Sequence, residues 1–187
     1  MSKLPSHPAD IVRHEDHAEE TVIEKELRLV RLAGVFQCRG KTPGSPVLRC
    51  MKHAHDEKLR FCDMLEEIAD ALPDDVDRFK CLTVANALAP LMRSVHRFEE
   101  EVVFPAYSRD CEENCSASLQ RLATEHMADE CFADEITEVL LSMGHGSPVE
   151  NPEAVGFMLR GFFDSVRRHV AFEREHILPV IAAHEAV

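Results

Sequence analysis

Apolar residues recur at three- and four-residue intervals through most of the chain, and strand-like alternation is almost absent. A first helix is expected over about 10–36, with Val12, Ile23, Leu27 and Val30 on its inner stripe. FQCRGKTPGSPV then interrupts it, since two glycines and two prolines do not continue a helix. Helix A is expected over about 47–72, with Leu59, Cys62, Leu65, Ile68 and Leu72 facing inward. LPDDVD forms a turn with acidic cap candidates, and helix B runs on to about 108 through Leu82, Ala85, Ala89 and Met92. Helix C covers about 113–143, including Leu119, Leu122, Ile136 and Leu140. The loop GHGSPVENP offers Asn151 as N-cap and Pro152 as the first helical residue of helix D, which runs to about 183.

Four long amphipathic helices with short links predict an all-α protein, an antiparallel up-and-down four-helix bundle with one additional N-terminal helix. The division is 1–46 for that helix and its loop, packed on the bundle, and 47–187 for the bundle itself. At 187 residues and 45% hydrophobic content, the chain can bury one sizeable core.

The inner faces also carry histidines. His55, His96, His126 and His169 each fall in a different long helix. In an antiparallel hairpin, residues equally distant from the turn meet at one level. His55 and His96 are centred in PDDVD, His96 and His126 on Cys111, and His126 and His169 inside GHGSPVENP. An error of two residues shifts the level little, given a rise of about 1.5 Å per residue. Three hairpins thus bring four histidines to one layer.

His96/Glu100 and His169/Glu173 are i, i+4 pairs, which places each carboxylate one turn from its imidazole on the same face. A buried carboxylate is costly unless it is paired or holds a cation. The predicted metal set is therefore His55, His96, Glu100, His126, His169 and Glu173. Nitrogen and oxygen donors suit iron, manganese or zinc, and bridging carboxylates between helices suit a pair of iron or manganese ions. A tetrahedral structural zinc needs fewer ligands and usually thiolates. Glu130, four after His126, is open as a further ligand, an outer hydrogen-bond acceptor or surface. His176 could gate access or bond Glu173, and Tyr107 could sit at the bundle end. His7, His14, His17, His53, His145 and His184 read as solvent-exposed, with His17 the rival to His55.

Charge and cysteine content narrow the partners. A net charge of -13 disfavours nucleic acid and anionic membrane surfaces. No segment reads as membrane-spanning and the N-terminus has no signal-peptide core, so the cytoplasm is the expected location. The 7 cysteines are irregularly spaced without a CxxC, and Cys62 and Cys131 read as small buried apolar groups.

The chain resembles the hemerythrin-like proteins of the His-His-Glu cation-binding class. The resemblance is carried by His55 in HDEKLRFCDMLEEI, His96 and Glu100 in HRFEEEVVFP, His126 in LATEHMADE, and His169 and Glu173 in HVAFEREHILP, over about 47–184. Its ligand spacing is similar to that of the bacterial di-iron iron–sulfur-cluster repair proteins. The resemblance implies two non-haem iron ions held by four histidines and two bridging glutamates, with an oxo or hydroxo bridge. Manganese or zinc is the less favoured occupant. The repair proteins carry a small cysteine-containing N-terminal domain, where this chain shows one helix and a loop. Oxygen carriers have a fifth histidine where this chain has Glu130. The Phe-Pro after His96 is one residue nearer than in the family, which leaves Glu99 as a rival to Glu100.

The implied function is binding or reducing a small oxidant, dioxygen, peroxide or nitric oxide, in oxidative or nitrosative stress response or iron-centre repair. An electron-donor or signalling protein would be the macromolecular partner. One alternative is a non-enzymatic oxygen- or iron-sensing module. Another is a helical interaction protein whose polar layer specifies packing. No nucleotide or flavin motif is present.

Overall fold

The computed structural model describes residues 46–111 and 115–185. The described chain is all helical. Helix α1 spans Pro46–Asp70, α2 Arg78–Phe98, α3 Phe104–Asp110, α4 Ser116–Gly144, α5 Pro152–Phe172 and α6 Leu178–Glu185. A π-helical turn over Glu99–Val103 links α2 to α3, and a second over Glu173–Ile177 links α5 to α6. Each of those pairs is one continuous rod, so four rods make up the bundle. Helix α1 packs on α2 and α5, α4 packs on the same two, and α3 meets α6. This is the expected four-helix bundle. The helix expected over 10–36 lies outside the described residues, as does all but the last residue of the proposed 1–46 unit.

Local chemistry sets the rod ends. Asp77 caps α2 by accepting from the Lys80 amide at 3.1 Å. Asn151 caps α5 by accepting from the Ala154 amide at 3.0 Å, with Pro152 just inside the helix. Helix α4 ends in a Schellman motif: Gly146, at φ +88°, donates to Met143 O, and Ser147 donates to Ser142 O. No helix of the described residues is long and apolar enough to cross a membrane.

The core comes in two parts. One apolar cluster fills the half of the bundle around Phe61, Leu65, Leu88, Ile136, Leu140 and Phe162. The other gathers Met51, Phe98, Phe104, Leu122, Ile177 and Ile181 at the opposite end. Between them, on every rod, lie the buried polar residues: His55 and Lys58, His96 and Glu99, His126 and Asp129, His169 and Glu173. The layer predicted from the three hairpin centres is present. Several inner-face expectations change, and Leu72, Leu82 and Leu119 are only partly buried. Leu59 is only partly buried because Lys58 takes the inward position, and Cys131 is exposed because it lies off the line 126, 129, 133, 136 of α4.

Candidate metal centre

The two π-helical turns begin at Glu99 and Glu173, and each of these glutamates stands six residues before a proline, Pro105 or Pro179. Proline lacks an amide hydrogen, and its ring crowds the carbonyl four residues back. A wider turn relieves that crowding. The amides of Phe104 and Leu178 accordingly bond back to Glu99 O and Glu173 O, five residues away.

Wherever this irregularity falls, ordinary helical spacing no longer decides which glutamate turns inward. On the α2–α3 rod it is Glu99, three after His96, that is 0% exposed. Glu100 is 46% exposed and touches the site from outside. The inward placement expected of Glu100 is therefore corrected to Glu99. On the α5–α6 rod the expected spacing holds, with Glu173 buried four residues after His169. The signal for this was the equal distance from each glutamate to its proline.

Six donors converge from four helices. His96, Glu99 and His126 form one group whose ligand-type atoms all lie within 4.8 Å of one another, and His55, Glu99 and Glu173 form a second. Glu99 belongs to both. Its Oε2 lies 3.0 Å from His126 Nε2 and 4.0 Å from His169 Nε2. Glu173 Oε1 is 3.6 Å from His169 Nε2, while its Oε2 meets His55 Nε2 at 2.9 Å. The rings of His96 and His126 stack with centroids 4.0 Å apart.

The outer nitrogens of three imidazoles are held by carboxylates. Glu130 lies 3.0 Å from His96 Nδ1, Glu100 2.8 Å from His126 Nδ1, and Glu125 3.3 Å from His169 Nδ1. A carboxylate only accepts, so each Nδ1 carries a proton and Nε2 is the nitrogen turned inward. Carboxylate behind imidazole is the usual support of a metal-bound histidine. Of the roles open to Glu130, the structure places it as the outer acceptor. Glu125 in this role, and Lys58 in the layer, escaped sequence reasoning.

His55 is different. Arg174 Nε donates to its Nδ1 at 3.3 Å, so the ring proton sits on Nε2 and donates to Glu173. Lys58, 1% exposed, donates to Glu99 Oε1 at 2.7 Å. Lys58 was legible in principle, since it falls in the inward series 51, 54, 55, 58, 61, 62.

The electrostatics fit a cation. Burial would lower the Lys58 pKa, but Glu99 and Glu173 outweigh it and hold the amine charged. Burial would raise Glu173, yet Lys58, His169 and His55 hold it well below the usual carboxylate range. Burial, with Lys58 next, pushes His96 far down, so it is a neutral donor. Burial also opposes charge on His126, but Glu99 and Glu100 at its two nitrogens raise its pKa. Three buried atoms have no hydrogen-bond partner here: His96 Nε2, Glu99 Oε2 and Glu173 Oε1. In addition, His126 Nε2 and His169 Nε2 face each other at 3.3 Å. Lone pairs converging on one dry point are stabilised by a positive ion. The donor set fits a metal.

Other expectations fall on the periphery. His53, His145 and His176 are exposed, and His176 packs on the Phe172 ring without reaching Glu173. Tyr107 is half-buried in the terminal cluster. His7, His14 and His17 lie outside the described residues. Cys62 is buried as expected, and burial pushes its thiol up to about 12.

Fold and polar layer together define a metal-binding four-helix bundle with a histidine and glutamate donor set. The family model of the hemerythrin HHE cation-binding domain matches residues 47–181. The chain belongs to that family. No curated protein and no solved structure matches it.

Proposed function

We propose that this protein holds redox-active iron in the polar layer and uses it to bind or reduce a small oxidant, dioxygen, peroxide or nitric oxide. The observation that supports this most is the set of three orphaned donor atoms, His96 Nε2, Glu99 Oε2 and Glu173 Oε1, aimed into a dry interior on which six donor residues converge. The donors are imidazole and carboxylate without thiolate, which favours iron or manganese over a structural zinc. The family expectation is two iron ions, and Glu99 stands where two candidate donor groups meet.

Iron bound there would supply one-electron chemistry and an open position for the oxidant. The chain's own residues do the rest. His96, His126 and His169 turn Nε2 inward in fixed orientations because Glu130, Glu100 and Glu125 hold their outer protons. Phe104 lies over the His126 ring, with centroids 5.5 Å apart, and Met51, Val103, Leu122 and Ile177 close that end to water. Only a small ligand suits so closed a site. Among the described residues, no group near the layer is placed to act on a bulky organic substrate.

The test is anaerobic loading with ferrous iron, followed by metal analysis and stopped-flow mixing with each oxidant. Bound iron and a rapid optical change with at least one oxidant are expected. Retention of zinc alone, or ferrous protein inert to all three, overturns the reading.

A further inference from the structure

The two donor groups that share Glu99 look equivalent by composition, but their hydrogen bonding is not. The atoms of these groups that make no hydrogen bond, His96 Nε2, Glu99 Oε2 and Glu173 Oε1, belong to the side facing His126 and His169. The other oxygen of each glutamate is satisfied on the side of α1. There, Glu99 Oε1 accepts from Lys58 Nζ at 2.7 Å, and Glu173 Oε2 accepts from His55 Nε2 at 2.9 Å. Each glutamate thus turns one oxygen to an N–H donor and leaves the other bare.

We propose that the Lys58 ammonium occupies the second cation position of this centre, so that the protein takes one metal ion, on the His96–Glu99–His126 side, rather than two. The inference rests on the metal-binding reading above and specifies its stoichiometry.

Two further contacts support it. A second ion in the group of His55, Glu99 and Glu173 needs a lone pair from His55 Nε2, which already carries the proton. That proton can move to Nδ1 only if Arg174, which donates there at 3.3 Å and is anchored to Asp56 at 3.0 Å, turns away towards solvent. The ion would also share Glu99 with an ammonium in direct contact with the same carboxylate. Like charges so close repel most strongly where water is excluded, and both Lys58 and Glu99 are fully inside. Arg174, His55 and Lys58 therefore neutralise the α1 side with N–H groups alone.

The experiment uses manganese(II) titrated anaerobically into the whole protein, read by electron paramagnetic resonance and by native mass spectrometry. Saturation at one ion per chain is expected, with the spectrum of an isolated ion. Lys58→Met and Lys58→Gln, checked for folding by circular dichroism, are expected to take two ions and to show a spin-coupled pair. Wild-type protein saturating at two coupled ions overturns the inference and leaves the metal-binding reading standing. Folded variants that still stop at one ion overturn the role of Lys58. Wild-type protein that takes no manganese and no ferrous iron sinks both. The wild-type titration decides the stoichiometry even if neither variant folds.

Discussion

Glu99 and His126 meet inside the bundle at 3.0 Å, while the neighbouring Glu100 reaches the other nitrogen of the same ring at 2.8 Å from the surface. Two adjacent glutamates thus bracket one imidazole. Their substitutions separate cleanly. Glu99→Gln removes an inward donor and is expected to weaken metal binding more than about 100-fold. Glu100→Gln leaves the donor set whole and costs about 10-fold, the lower end of the range for an outer carboxylate. Competition against a chelator of known affinity measures both, and equal losses would show that the inward assignment of Glu99 is wrong.

Glu130 and Glu125 stand behind His96 and His169 as Glu100 stands behind His126. Alanine at either position frees the ring to turn and to exchange tautomers. Metal affinity should fall about 10- to 100-fold with little change in the helical circular dichroism. Unaltered affinity in both variants would remove the outer carboxylates from the account.

Lys58 neutralises buried carboxylates when no metal is bound. Its replacement by methionine in metal-free protein is expected to lower stability by about 3–5 kcal/mol, since Glu99 is left charged and unpaired in the interior. Adding Glu99→Leu to Lys58→Met should restore most of that loss, because the pair is then apolar on both sides. Urea unfolding of the metal-free single and double variants gives the comparison. A double variant no more stable than the single one contradicts it.

Asp129 gives the pH dependence a sign. Burial raises its pKa, although Lys58, His169, His126 and a hydrogen bond from Ser165 at 3.4 Å favour the ionised form. A carboxyl whose folded pKa lies above its unfolded value costs stability once ionised. The cost is full above the folded pKa and fades as pH falls below it. Asp129→Asn should therefore raise the melting temperature of metal-free protein at neutral pH, and the gain should shrink on acidification. A gain that is constant across pH would mean that burial of the charge is not its source.

The thiols divide by burial. Burial pushes Cys62 to about 12 and Cys81 to about 11, whereas Cys131 lies on the outer face of α4. Mass mapping after brief alkylation at mild alkaline pH should find Cys131 modified and Cys62 and Cys81 protected until the protein unfolds.

The histidine layer was legible in the sequence because it depends only on distance from three turns, a quantity that survives small errors in helix ends. The bundle was legible for a similar reason, since apolar spacing over four long segments averages out local irregularity. Glu99 was harder to read. Regular helical geometry puts both Glu99 and Glu100 near the face of His96, and only the turn that begins at Glu99, six residues before Pro105 as Glu173 is before Pro179, marks Glu99 as the inward one. Lys58 was missed for another reason. Lysine is ordinarily a surface residue, and only the joint presence of two inward carboxylates makes its burial favourable. A single-helix pattern cannot show that partnership.

The polar layer also divides the bundle mechanically. Phe61, Ile68, Leu140 and Phe162 pack on one side of it, and Met51, Phe104, Leu122 and Ile181 on the other. All four rods cross the seam between these two apolar blocks, and each of them buries polar side chains there. Until an ion draws His96, Glu99, His126 and His169 together, the bare donor atoms at the seam are expected to make it open more readily than the apolar blocks. The end carrying α3 and α6 can then fray while the rest of the bundle stays folded. Occupancy would thus reach amide exchange far from the donors, protecting the backbone of α3 and α6 as a clasp holds a hinge shut.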